Sequence, residues 1–202
     1  MKNTAVADVK DNTLRHLVTS ALYTVVTVIL LGIVYPLVMT GIAMVLFPHQ
    51  ANGSIVTVDG KAVGSSIIGQ LWTKPQYFQG RPSAAGKGYD PTATGGTNLG
   101  PTSKKLIDAT RSTIDALKKA NPDATGPIPM DLVTSSASGI DPDISPEAAY
   151  YQAPRVAKAR NMSVEALDAL VAKYVHGRDL GFLGEPHVNV LELNLALDAA
   201  KS

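Results

Sequence analysis

The run Leu17–Phe47, LVTSALYTVVTVILLGIVYPLVMTGIAMVLF, has no charged residue over its 31 positions. A helix that spans a bilayer needs about 20 such residues. A buried helix of a soluble protein rarely stays apolar on every face for so long. The run therefore predicts one transmembrane helix near the N-terminus. As a straight helix it would measure about 46 Å, against a hydrocarbon core of about 30 Å. Tilt, a kink at Pro36, or projection beyond the membrane would absorb the excess. A cleaved signal peptide fits less well. The run is about twice the usual apolar length, and Val45-Leu46-Phe47-Pro48 places bulky residues where a cleavage site needs small ones.

The flanks set an expected orientation. Lys2, Lys10 and Arg15 precede the run, and between Pro48 and Ile67 only Lys61 is basic. The positive-inside rule then puts the N-terminus in the cytoplasm and the rest outside. The expected organisation is a cytoplasmic tail at 1–16, a transmembrane helix at 17–47, and an extracytoplasmic domain at 48–202. Ser20, Thr24 and Thr27 fall on one helical stripe, with Leu31 next on that face. Small hydroxylated residues let a partner helix approach closely, although the same hydroxyls can bond back to their own helix. Gly32 and Gly41 are too far apart to form a GxxxG pair.

Composition narrows the function classes. Charged residues make up 17% of the 202-residue chain, and the formal net charge is +1. No basic patch argues for nucleic acid. There is no cysteine, which excludes disulfides, thiolate metal sites and cysteine nucleophiles. Seventeen glycines and thirteen prolines mark a turn-rich fold rather than a bundle.

The expected class after the span is α+β. Ser54–Val58 and Lys61–Val63 read as strands around Asp59-Gly60, a hairpin turn in which both positions take positive φ. Ile67–Trp72 is a candidate to extend that sheet. Tyr77–Pro101 is rich in Gly, Pro, Ser, Thr and Asn and reads as a long loop. A helix follows from Thr102 or Ser103 to Ala120, with Leu106, Ile107, Ile114 and Leu117 as its apolar face. Ser145-Pro146-Glu147 starts another, short or kinked at Pro154. Ser163 caps a third that ends at Gly177, with Val164, Leu167, Leu170, Val171 and Tyr174 facing the core. Val188–Ala200 alternates like a strand in its leucines yet is rich in helix formers; helix is the expected state.

Catalytic signals are sparse. His16, His49, His176 and His187 form no HExxH or paired ligand set. The serines of 134–139 lack a nucleophile elbow. Asp141, Asp143 and Glu147 lack the spacing of a calcium loop. Together with Asp90, the first two are solvated turn acids before they are cation ligands. Gly95–Gly100 has the glycine spacing of a phosphate loop, but Pro101-Thr102 replaces the required Lys-Ser/Thr pair. The phosphate-reaching lysine is absent, and Pro101 removes an amide donor.

An ordered set of segments resembles a known family. These are Gln50–Ser54, Ser66–Gln70, Tyr77-Phe78-Gln79-Gly80-Arg81-Pro82-Ser83, Gly95–Leu99, Asp131–Gly139, Arg155–Arg160 and Val188–Asn194. Each motif alone is weak, but their order and spacing from about Tyr35 to Asp198 resemble the C subunit of the bacterial Kdp potassium-transporting ATPase. The resemblance implies one span and an extracytoplasmic domain in the inner membrane. It also implies a role in ATP-driven potassium uptake beside a channel-like A subunit, a P-type B subunit and a small F subunit. The family is described as a catalytic chaperone that raises the ATP affinity of the B subunit, and sometimes as ATP-binding and nucleotide-binding itself.

The resemblance leads us to expect a non-catalytic accessory subunit with no cofactor of its own. ATP and Mg would sit on the B subunit, and potassium is the transported ion. The span is expected to pack on the A subunit through Ser20, Thr24, Thr27 and Leu31. The domain is expected to cover that subunit's outer potassium entrance, with Tyr77, Phe78, Arg81, Pro82, Ser83 and Asn98 as candidate partner-facing loop residues. ATP is cytoplasmic, and a tail of Met1–His16 is too short for a nucleotide pocket, so any effect on ATP use would be indirect. Two other classes stay open at this stage: a tethered extracytoplasmic hydrolase using His49, His176 or His187, and a free-standing potassium-binding protein.

Overall fold

A computed structural model describes residues 13–200. Residues 1–12 of the expected tail lie outside the described residues, and Thr13–His16 form the first turn of a helix. The chain divides into two compact units, Met1–Asn52 and Gly53–Ser202.

The first unit is helical. Helix α1 (Thr13–Ile29) leads through a π-helical turn (Leu30–Val34) into α2 (Tyr35–Leu46), and a short α3 (Pro48–Ala51) follows. Thr13–Leu46 is long and apolar enough to cross a bilayer, and none of its apolar window is buried by the chain itself. Pro36 explains the widened turn. Its ring would crowd the carbonyl four residues back, and it has no N–H to return. The chain opens by one residue instead, and the Tyr35 N–H reaches back to the Leu30 carbonyl.

The second unit is α+β. Strands β1 (Ile55–Val58) and β2 (Lys61–Ser65) form the expected hairpin, with φ of +50° at Asp59 and +74° at Gly60. Ile67–Trp72 does not extend it. The Ile68 N–H turns back onto the Ser65 carbonyl, and Gly69 donates instead to Ile140. Four helices follow: α4 (Lys104–Ala120), α5 (Pro146–Arg160), α6 (Val164–Lys173) and α7 (Val190–Ala199). A small antiparallel sheet orders β3 (Asp143–Ile144), β5 (His187–Asn189) and β4 (Val175–His176), with β5 central. Val188 faces both Ile144 and Val175 in register.

Helix α5 is the centre of the unit. Ala148, Ala149, Tyr151, Ala153, Val156 and Ala157 are buried on several of its faces. Ser145 caps it by accepting from the Ala148 N–H. Burial on this scale carries α5 on through Pro154 to Arg160, so of the two expected outcomes, a short or a kinked helix, the shortening does not occur. Helix α6 has the expected Ser163 cap but stops at Lys173, because Val175-His176 is drawn into the sheet. The last segment divides: Val188-Asn189 pair as strand, and Asn189 then caps α7 by accepting from Glu192. Leu193 and Leu197 of α7 join Phe78, Ile144, Val156, Leu167, Val171 and Val188 in the core. Helix α4 has its expected bounds, but only Leu117 is buried, and Ile107 stays 40% exposed.

Truncating the core should be costly. Leu193→Ala is expected to lower unfolding stability by about 3 kcal/mol, from lost transfer energy plus a residual cavity, as read by urea denaturation.

Candidate interaction surface

The long loop begins as an extended segment threaded through the core. Side chains from α5 and α7 supply the partners that a neighbouring strand would otherwise give. Asn194 Oδ1 accepts from the Phe78 N–H, and Asn194 Nδ2 donates to the Phe78 carbonyl, both at 2.9 Å. Gln152 treats Gln79 in the same way, at 2.9 Å and 3.0 Å. Arg155 donates to the carbonyls of Pro75 and Tyr77, to Asn121 and to Gln152. Burial pulls the Arg155 guanidinium down to about 10, so it still carries its charge at neutral pH. Arg160 donates to the Gln76 and Leu197 carbonyls and to Asp198, and stacks over the Tyr77 ring at 4.9 Å. Tyr77 in turn donates to Asp198 at 3.0 Å.

Beyond Gly80 the loop is stitched to 134–141. Arg81 pairs with Asp141 at 2.9 Å. Ser83 donates to the Gly139 carbonyl and accepts from the Tyr89 N–H. A Cβ at Gly139 would lie 2.8 Å from the Ala85 nitrogen and the Gly95 oxygen, and its φ is +71°. No other residue fits that crossing. Tyr89 donates to the Arg81 carbonyl at 2.6 Å. Burial, with Asp141 nearby, pushes its phenol up to about 12.

The candidate loop residues thus fall into two groups. Phe78 is fully buried, and Tyr77, Arg81, Pro82 and Ser83 are half-buried and tied into the domain. Asn98 is exposed, as are Pro91–Thr94 and Thr97. The loop is packed against the domain through Tyr77–Ser83 and Ala85, and it is open at its turns, including the rim around Asn98. In the span, Thr24 donates to the Ser20 carbonyl, and Thr27 to the Tyr23 and Thr24 carbonyls. The stripe therefore has these two hydroxyls satisfied by its own helix. Ser20, Thr24 and Leu31 are exposed and Thr27 is half-exposed within the chain.

The glycine loop does not fit a phosphate. The Gly95 N–H is spent on the Ser138 carbonyl, no strand precedes the loop, and α4 begins only at Lys104. The acids are also engaged. Asp90 accepts from Thr92, Asp141 holds Arg81, and Asp143 accepts from Asn189. Burial raises the Asp143 carboxyl above its usual value. Sequence spacing gave no sign that His176 and His187 meet. Cross-strand pairing stacks their rings with centroids 5.3 Å apart, and Glu192 lies 3.6 Å from His176. Neither ring bonds a serine or threonine hydroxyl among the described residues; His187 Nδ1 lies 3.1 Å from the Glu185 carbonyl. No group of three metal-ligating side chains occurs among the described residues either.

An apolar N-terminal helix long enough to cross a bilayer, followed by an α+β domain whose buried amides and guanidiniums hold its own loop, is the build of a membrane-anchored protein. Comparison with known proteins gives the family. Residues 17–199 match that of the K+-transporting ATPase c chain, KdpC, and the chain belongs to it. The match starts well before Tyr35, so the span itself carries family signal. The KdpC subunit of the potassium-transporting ATPase of Koribacter versatilis is 55% identical over 93% of this chain and 96% of its own. That of Methylococcus capsulatus is 50% identical over 93% and 100%.

Two outcomes follow for the loop. Asn194→Ala leaves the buried Phe78 N–H and carbonyl without partners and should cost about 3 kcal/mol, whereas Thr97→Ala on the rim should fall within about 0.5 kcal/mol; chemical denaturation distinguishes them. The Tyr89 phenol is raised on folding. Its contribution is thus complete below its unfolded value near 10 and is lost as pH rises towards about 12. Tyr89→Phe should flatten that alkaline slope in thermal melts while lowering neutral-pH stability by about 1 kcal/mol.

Proposed function

We propose that this chain is the single-pass accessory subunit of an ATP-driven potassium importer, with its N-terminus in the cytoplasm and its folded domain outside. The observation that carries the reading is the family match across both the span and the domain. The unburied apolar helix supports it, because nothing among the described residues buries that surface. The proposed partners are the channel-like A, P-type B and small F subunits, together with the bilayer. Mg-ATP would be held by the B subunit and potassium carried through the A subunit. The stripe of Ser20, Thr24, Thr27 and Leu31 is the proposed packing face in the membrane: with the Thr24 and Thr27 hydroxyls bonded back, it is smooth enough for close helix approach. The rim around Asn98 is the proposed contact of the loop, and the domain would cover the outer potassium entrance.

Under this reading the subunit stabilises the assembly and aids ATP use by packing, not by binding nucleotide. The spent Gly95 amide and the Pro101 break both support an indirect route.

The absence of native cysteine makes topology directly measurable. A single cysteine at exposed Thr94 should react with a membrane-impermeant maleimide in intact cells, and one at Lys2 only after permeabilisation. The reverse pattern would overturn the orientation. Detergent purification through a tagged B subunit should bring down this chain; its absence would overturn the subunit reading. Stoichiometric labelling of this chain by a photoreactive ATP analogue, competed by ATP, would overturn the indirect route.

A further inference from the structure

The connection between β4 and β5 is a ten-residue projection in which every residue from His176 to Glu185 is exposed. It is nonetheless ordered. Asp179 and Leu183 exchange both backbone hydrogen bonds at 2.9 Å, and Arg178 pairs with Glu185 at its base. The Phe182 N–H donates to the Asp179 carbonyl, closing a four-residue turn. The central residues Leu180 and Gly181 have φ of +53° and +83°, the pattern of a type I′ turn.

That turn wants Asn-Gly or Asp-Gly, because both central positions need positive φ. The β1–β2 hairpin of this same domain obeys the rule with Asp59-Gly60. The projection places a leucine there instead. Tyr89 also has positive φ, but it is half-buried and hydrogen-bonded. Leu180 is 83% exposed, and beside it Phe182 is 69% and Leu183 49% exposed. The tip therefore combines an unfavourable backbone for a side chain with apolar groups left in water, and the fold gains nothing from either. Strain held at a surface without internal return is a mark of a contact made elsewhere.

We propose that this tip is a docking knob whose Leu180 and Phe182 side chains seat in an apolar pocket of another protein subunit of the ATPase. The inference rests on the reading of the chain as a subunit. Charge and shape favour a protein pocket over lipid. The one cation of the projection, Arg178, is neutralised by Glu185 and followed by Asp179, so nothing is free to hold anionic headgroups. A fluid bilayer also needs no rigid, backbone-strained leucine, whereas a shaped pocket does. Three side chains supply a hot spot rather than a whole interface, with the Arg178–Glu185 pair as its polar rim.

The test uses the full chain co-expressed with the other ATPase subunits. Leu180→Asn restores the preferred turn residue and Phe182→Ser removes the ring. Each should leave the thermal midpoint of the isolated chain unchanged or higher, while the amount retained on a tagged B subunit after extended washing falls at least tenfold. A benzoyl-phenylalanine at 182 should give, on irradiation, an adduct with one of those subunits. Wild-type retention by both variants overturns the knob, and so does an adduct with lipid alone or none. If the wild-type chain itself is not retained, the subunit reading falls and the inference with it.

Discussion

The α+β unit depends on two side-chain carboxamides. Asn194 and Gln152 each hold both backbone groups of one residue of an extended segment, and so stand in for a strand that the fold lacks. Phe78 can enter the core only because its N–H and carbonyl are satisfied there. Arg155 and Arg160 complete the same task for Pro75–Tyr77. Charge inside a domain is costly unless paired and hydrogen-bonded. Arg160 is both, through Asp198 and the carbonyls it binds, whereas Arg155 is held by neutral acceptors alone, the Pro75 and Tyr77 carbonyls, Asn121 and Gln152, and its lowered pKa records that cost. Helices α5 and α7 are therefore frames for a loop as much as core elements.

This accounts for what was legible in the sequence. Local signals held where a few residues decide the outcome: Asp59-Gly60 for the turn, Ser145-Pro146 and Ser163 for helix starts, and the charge-free run for the span. Elements of two or three residues were not legible. Strands β3, β4 and β5 are too short to show a period, and they exist because Val188 can lie between Ile144 and Val175. The length of α5 was hidden for a related reason: tertiary burial carries the helix past Pro154. The fate of Tyr77–Pro101 was half readable. Its composition predicts irregular backbone correctly, but Gln152 and Asn194, the residues that fasten it, lie far along the chain in helices where amides usually face water. The stacking of His176 on His187 likewise follows from strand pairing and leaves no mark in spacing.

Family membership and physical reading meet on the division of labour. The domain uses its acids, amides and guanidiniums to hold itself together, and the glycine loop is committed to 134–141 before any ligand arrives. Such a domain is suited to presenting shape. Its exposed features are a loop rim, a sparsely buried α4 and an apolar hairpin tip, carried by a helix that exposes apolar side chains on all sides.

The widened turn ahead of Pro36 has a further effect. In an unbroken α-helix, successive residues advance by about 100°, so positions 11 and 18 beyond Thr27 would return almost to its azimuth. Val38 and Val45 would then prolong the line of Ser20, Thr24, Thr27 and Leu31. One additional residue in the Leu30–Val34 turn swings everything after it by about 100°. The hydroxyl stripe and the shallow groove of Val38, Gly41, Ile42 and Val45 consequently point in different directions around one axis. A single helix can thereby meet one neighbour in one leaflet and a second in the other, and a proline that looks like a hinge in the sequence works as a change of azimuth.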